Sequence, residues 1–181
     1  SDIRATPAQA VYGFFTGSEA GRFVKQFQQF GLKGKMKLMG FQSMLDADTF
    51  PLQGSAAVGG LSTSIYCETL DTPENKHFVE MHAKKSKELP GIFTESGYTT
   101  MRIIDDAAQA VGGKIEDAAA FCAAVGKTNI KAPRGPVSFD PLTHQAIQNV
   151  YVREVVEQDG RLVNKVIGVQ PNIGDHPLNK V

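Results

Sequence analysis

The sequence predicts an α/β fold in which a parallel sheet is flanked by helices, with a β-hairpin close to the C-terminus. Three features of the 181 residues point there. Up to Tyr66, short apolar runs alternate with segments of helical period, the pattern of parallel strands joined by crossover helices. From Thr72 to Val125 the period is helical, broken by Pro90-Gly91 and Gly112-Gly113. Near the end, two valine-containing runs flank Asp159-Gly160, a pair that favours the positive φ angles of a tight hairpin turn.

In chain order, Ala10 to Phe15 (AVYGFF) is a nearly continuous apolar run, as in a strand buried on both faces. Thr16-Gly17-Ser18 follows; Ala20, Phe23, Val24, Phe27 and Phe30 then form the stripe of a helix closed by Gly31. Lys37 to Phe41 is a second strand, and Asp48 to Val58 a short helix leading into a third, Gly60 to Tyr66. Thr72 caps the next helix with Pro73 in its first turn, and Phe78, Met81 and the stem of Lys85 mark its inner face. A helix from about Ser96 to Val111 is expected to pack through Tyr98, Met101, Ile104, Ala108 and Val111, and an Ala-rich helix spans Ile115 to Val125. Ala132 to Pro136 (APRGP) reads as a rigid turn before a short strand, Val137 to Phe139. The hairpin strands are Asn149 to Glu157 and Leu162 to Val169. No repeat or linker divides the chain, so any lobes are interleaved along it.

Lys and Arg number 19 and Asp and Glu 19, so the chain lacks the basic excess that nucleic acid or anionic lipid would attract. No apolar stretch approaches the roughly 18 residues that span a bilayer, so no membrane insertion is expected. The start, SDIRATPAQAV, lacks the pattern of a secretory signal, which leaves the compartment open because a mature or truncated chain would have lost it. Cys67 and Cys122 are too few for a disulfide scaffold; they form either buried thiols, the expected state, or a single bridge.

The P-loop, H-E-x-x-H, G-x-S-x-G and C-x-x-C patterns are all missing. His77 and His82 are five apart and diverge on a helix, and Asp105 and Asp106 point to different sides, so no metal pair or carboxylate pair forms. The more informative segment is Thr16-Gly17-Ser18, which joins the carboxyl end of a strand to a helix N-terminus. Free N–H groups and the helix dipole there favour an anion, and Gly17 permits close approach to the backbone. A plain βα turn has the same spacing. Gln42 and Ser43 follow the second strand and face the same crevice; Phe14, Phe15 and Phe41 either wall it or belong to the core.

The segments AVYGFFTGSEAGRFVKQFQQFGLKGKMKLMG, LDTPENKHFVEMH, GYTTMRIIDDAAQAVGG, APRGPVSFDPLTHQAIQNVYVREVV and GRLVNKVIGV, in this order, resemble the C-terminal half of a type I periplasmic binding protein. These are the Leu/Ile/Val-binding-like solute-binding subunits of ABC importers. The resemblance implies two α/β lobes joined by three crossings, with ligand trapped as the lobes close. It places residues 1–58 in part of the second lobe, 59–140 in the C-terminal part of the first, and 141–181 back in the second with the hairpin and tail. The N-terminal part of the family would then be missing, and that half or a second copy of the chain becomes an expected partner beside the permease. By the same resemblance the protein is periplasmic, is no enzyme, and needs no cofactor or metal. Thr16 falls where amino-acid-binding relatives place a contact from the second lobe, and Phe93 where they place an apolar wall. Gln42 departs from them, because relatives that hold an α-amino acid use an acidic side chain there to pair the ammonium. The expected ligand site is therefore Thr16, Gly17, Gln42 and Phe93, and the expected ligand a small carboxylic acid, aromatic or amino-acid-like. Two other readings compete: a ligand-sensing domain of the same fold, and a small α/β enzyme using Cys67 or the Thr16 loop.

Overall fold

The computed structural model describes residues 2–174; the expected tail at 175–181 lies outside the described residues. Strands β1 (Ala10–Gly13), β2 (Lys37–Gly40) and β3 (Leu61–Ser64) are parallel neighbours, with helix α1 (Gly17–Gln29) crossing between the first two. Ala20, Val24 and Phe27 of α1 are buried against Leu38, Met44, Leu45, Phe50 and Val155. The periodicity of α1 thus finds the face it predicts. Between β2 and β3, the expected single helix at Asp48 to Val58 is instead three short turns: a 3₁₀ turn at Ala47–Thr49, α2 (Phe50–Gln53), and a 3₁₀ turn at Gly54–Ala57. Gly54 at φ 56° ends α2 and explains the interruption.

The expectation that β1 is buried on both faces is not met. β1 is the end strand of the sheet, with Ala10 exposed and Tyr12 62% exposed. An apolar run alone does not distinguish an edge strand covered on one face from a central strand.

Helix α3 (Pro73–Ala83) begins as expected, with Asn75 N–H donating to Thr72 Oγ1 at 3.2 Å. Phe78 is buried on it, whereas Met81 is only half-buried and Lys85 lies exposed beyond its end. Helix α4 (Ile92–Ala110) starts four residues earlier than Ser96 because Gly91 is its extended N-cap and Asp46 receives the Ile92 N–H. Its expected stripe is also corrected: Glu95, Thr99, Ile103 and Ala107 are buried, while Met101 is 62% and Ile104 39% exposed. Helix α5 (Ala118–Gly126) is capped by Asp117, starts later than Ile115, and buries none of its residues.

The proposed rigid turn at Ala132 to Pro136 is a tighter hairpin. Strand β4 (Asn129–Ala132), which the sequence did not suggest, pairs antiparallel with β5 (Gly135–Phe139) across Pro133-Arg134, and Gly135 takes φ 104°. The final hairpin is longer than expected, β6 (Ala146–Gln158) and β7 (Arg161–Ile173), with Asp159 at φ 52° and Gly160 at φ 75° in its turn. It is not an appendage to a parallel sheet. β6 pairs antiparallel with β3 through Tyr151–Glu154 and with β5 through Ala146–Gln148, so one long strand unites a mixed sheet in the order β1-β2-β3-β6-β5-β4, with β7 also on β6. Beside the core under α1 lie two smaller ones, Tyr66–Phe78–Ile92 and Ile103–Ile130–Ala132–Val137.

Candidate functional site

Because β1, β2 and β3 run parallel, their carboxyl ends emerge side by side. Phe41 N–H donates to Gly13 O at 3.0 Å, Ser43 Oγ to Phe15 O at 3.5 Å, and Ser64 Oγ to Gln42 Oε1 at 3.4 Å. These bonds join the segments carrying Thr16, Gln42 and Ser64 into one rim. Met44 fills the space beneath it because two glycines let it in: a Cβ on either Gly13 or Gly40 would stand 2.9 Å from Met44 Sδ.

Thr16 is the exposed N-cap of α1, in an extended conformation, with no side-chain cap bond of its own. Gly17 opens the helix at φ 52° with open space around it. Gln42 is half-buried; its amide oxygen is engaged by Ser64, which leaves its NH₂ as the group with donors to offer. Of the three phenylalanines, Phe14 is 64% exposed and packs on Phe41 with ring centroids 4.5 Å apart, so this pair faces the rim. Phe15 stacks on Phe23 of α1 and belongs to the core side. Phe93 sits in the first turn of α4, 65% exposed. Thr16, Gly17 and Gln42 are brought together; Phe93 approaches them only through the chain of contacts described next.

Under the rim lies Arg153, fully buried on β6, with every donor taken. Its Nε donates to Ser62 Oγ at 3.2 Å, one terminal nitrogen to Asp46 Oδ1 (3.0 Å) and Tyr66 O (2.9 Å), the other to Gln42 O (3.0 Å) and Leu45 O (3.2 Å). The second oxygen of Asp46 accepts the Ile92 N–H at 2.8 Å, next to Phe93. Asp48 lies against Gly91; burial and then the Asp46 charge raise its carboxyl above the ordinary range, opposed by the Gly91 backbone and His82. Sequence reading missed Arg153 and Asp46. A usable signal was present, since Tyr151, Arg153 and Val155 alternate onto one face and all three are buried, which puts a charge on the inner register of an apolar strand.

Two further buried acids hold the rest of the frame. Glu95 on α4 pairs with Arg134, whose Nε lies 2.7 Å from Glu95 Oε2, and Arg134 also donates to Ser96 Oγ and Gln148 Oε1. Glu68 accepts the Asn164 N–H at 2.6 Å, and burial pushes its carboxyl up. Cys67, next to it, is buried and donates to Asn164 O at 3.2 Å; burial first, then the Glu68 charge, pushes its thiol up to about 11. The expectation of two buried thiols holds for Cys67 and fails for Cys122, which is exposed on α5. A depression of about 530 Å³, lined by Lys33, Lys35 and Gly59 among others, opens at the opposite ends of the same strands. Among the described residues no cluster of three or more His, Cys, Asp or Glu side chains is arranged to hold a metal ion, and no helix is long and apolar enough to cross a membrane.

A family model described as periplasmic binding protein matches residues 1–161. The chain belongs to this family. Among its periplasmic-binding-protein relatives, the Leu/Ile/Val-binding protein homolog 6 of Brucella abortus (strain 2308) is 36% identical over 182 aligned residues, covering 97% of this chain and 46% of the relative. A solute-binding protein of an ABC transporter from R. palustris, solved in complex with 4-hydroxybenzoate, superposes with a TM-score of 0.87 at 35% identity, covering 94% of this chain and 47% of that one. Another, from Rhodopseudomonas palustris BisB5 in complex with 3,4-dihydroxy benzoic acid, gives a TM-score of 0.89 at 30% identity, covering 95% and 47%. The chain thus spans about half the length of the relatives it matches, and its mixed α/β sheet with flanking helices is that of type I periplasmic binding proteins.

Proposed function

We propose that this chain is the C-terminal half of a solute-binding subunit of an ABC importer, working outside the cytoplasm and delivering a small aromatic carboxylic acid to a permease. Residues 1–58, together with β3, which pairs with β2, and the β6–β7 hairpin, belong to one ligand-gripping lobe and the remainder of 59–140 to the other, with β6 as one of the connections between them. The single observation that carries the ligand class is Gln42: a neutral amide, held through its oxygen by Ser64, sits on the rim with donors to offer. An α-ammonium requires acceptors and a counter-charge at such a place, whereas a hydroxyl or carboxylate accepts from the NH₂. Thr16 Oγ1 and the first N–H groups of α1 then meet an anion, and Phe14, exposed and packed on the half-buried Phe41, supplies an aromatic face. Phe93 closes the site from the other lobe. The reading is non-catalytic, and the raised Cys67 thiol, hydrogen-bonded and buried, supports it because the thiolate is the nucleophile.

Thermal unfolding of the longer protein that contains this chain tests the assignment. 4-Hydroxybenzoate and benzoate are expected to raise the midpoint at concentrations where leucine and valine do not; ligand at about 100 times its Kd stabilises by about 2.7 kcal/mol. Gln42→Glu should weaken the aromatic acids through like-charge repulsion with their carboxylate. Stronger stabilisation by leucine than by any aromatic acid would overturn the ligand class.

A further inference from the structure

Arg153 and Asp46 leave no slack between them. All five Arg153 donors are used, three of them on the backbone carbonyls of Gln42, Leu45 and Tyr66, which lie just past the ends of β2 and β3. Asp46 spends one oxygen on Arg153 and the other on the Ile92 N–H at the start of α4. One buried pair therefore ties the Gln42 segment to the helix that carries Phe93. Stability alone does not call for it, since apolar side chains of the same volume hold a core as well as a buried ion pair or better. The geometry of Gly91 agrees: a Cβ there would overlap the carboxylate oxygens of both Asp46 and Asp48, so the helix end sits as close to them as a backbone can.

We infer that the Arg153–Asp46 pair is a positioning clamp that sets the spacing between Gln42 and the N-terminus of α4, and through that spacing the affinity and release rate of the bound acid. The inference rests on the proposed binding function. Neither residue touches the ligand; each acts through the backbone it holds. Asp48 and His82 on one side, and Tyr66, Cys67 and Glu68 on the other, are the other titratable groups around the clamp.

Gly91→Ala in the longer protein is the cleanest test, because it keeps every charge, and the φ of −90° at this position suits alanine. The far-UV spectrum is expected to stay native, amide exchange at Ile92 to rise at least tenfold, and the Kd for 4-hydroxybenzoate to weaken at least tenfold, mostly through faster dissociation. Asp46→Asn, which turns an acceptor into a donor facing the Ile92 N–H or Arg153, should act in the same direction. Val24→Ala, in the core under α1, provides the comparison: it lowers the unfolding midpoint with the Kd within twofold of the parent. A folded Gly91→Ala protein with faster exchange at Ile92 and unchanged Kd would overturn the clamp, as would unchanged exchange. If the parent binds no aromatic acid, the ligand reading fails, and the clamp is judged by spin-label distances between positions 25 and 84 in a Cys122→Ser background. A broadened distribution in Gly91→Ala sustains it and an unchanged one refutes it.

Discussion

Helices α1 and α4 both carry regular apolar stripes, yet they are buried in opposite ways. α1 covers its sheet with Ala20, Val24 and Phe27, all at most 3% exposed, and turns its polar residues outward. α4 buries Glu95 and Thr99 at 0 and 3% exposure and leaves Met101 at 62%. The strands under α1 are close in sequence and cover the stripe directly. α4 is instead held in its first turns by Asp46 and by Arg134 from the β4–β5 turn as well as through Ile92 and Ile103 in the two smaller cores, so polar partners shared with hydropathy the choice of its inner face. Apolar periodicity alone misplaces a buried face that polar partners help to cover.

The largest effect should come from breaking that polar attachment. Glu95→Ala leaves Arg134 buried without a counter-charge and is expected to cost about 3–5 kcal/mol in urea unfolding. The matching change on α1, Val24→Ala, removes about two methyl groups' worth of burial and should cost about 2 kcal/mol. If Val24→Ala proved the more damaging, α4 would be anchored by something other than the ion pair.

Glu68 sharpens the contrast from another side, because it is buried like Glu95 but meets Asn164 in place of a cation. Burial raises its folded-state pKa above the ordinary 4.5, with the Asn164 N–H and Arg153 opposing. A carboxyl of this kind costs the fold nothing below its unfolded pKa, and the cost grows as pH rises from there through the folded value, then levels off. Glu68→Gln keeps an acceptor for the Asn164 N–H, so it should be more stable than the parent above that window and equal to it below. A thermal midpoint measured across pH would show the two curves separating; parallel curves would mean that Glu68 folds ionised at no cost.

The smallest effect on stability belongs to the outer stripe of α4. Met101→Ser with Ile104→Ser is expected to change the unfolding free energy of the 181-residue chain by no more than about 0.5 kcal/mol per site. Sedimentation of the same variant should show less self-association than the parent, since exposed apolar area drives it. Equal association would place the sticky surface elsewhere, with the edge strand β1 the next to test.

What the sequence determined by itself is whatever depends on neighbours a few residues away. The Asp159-Gly160 turn, the Thr72 cap, the α1 stripe and the strand ends that place Thr16 and Gln42 on one rim were legible because turns, caps and periods are local interactions. Tertiary structure decided the rest. β6 was expected in a separate hairpin, but its pairing with β3 carries Arg153 to Asp46, 107 residues away, and to the carbonyl of Gln42. Ser64 reaches Gln42, and Arg134 reaches Glu95, by the same kind of long-range placement. A buried charge takes whichever partner the packing brings within about 3 Å, and that choice is made when strands distant in sequence align, not by the residues beside it in the chain.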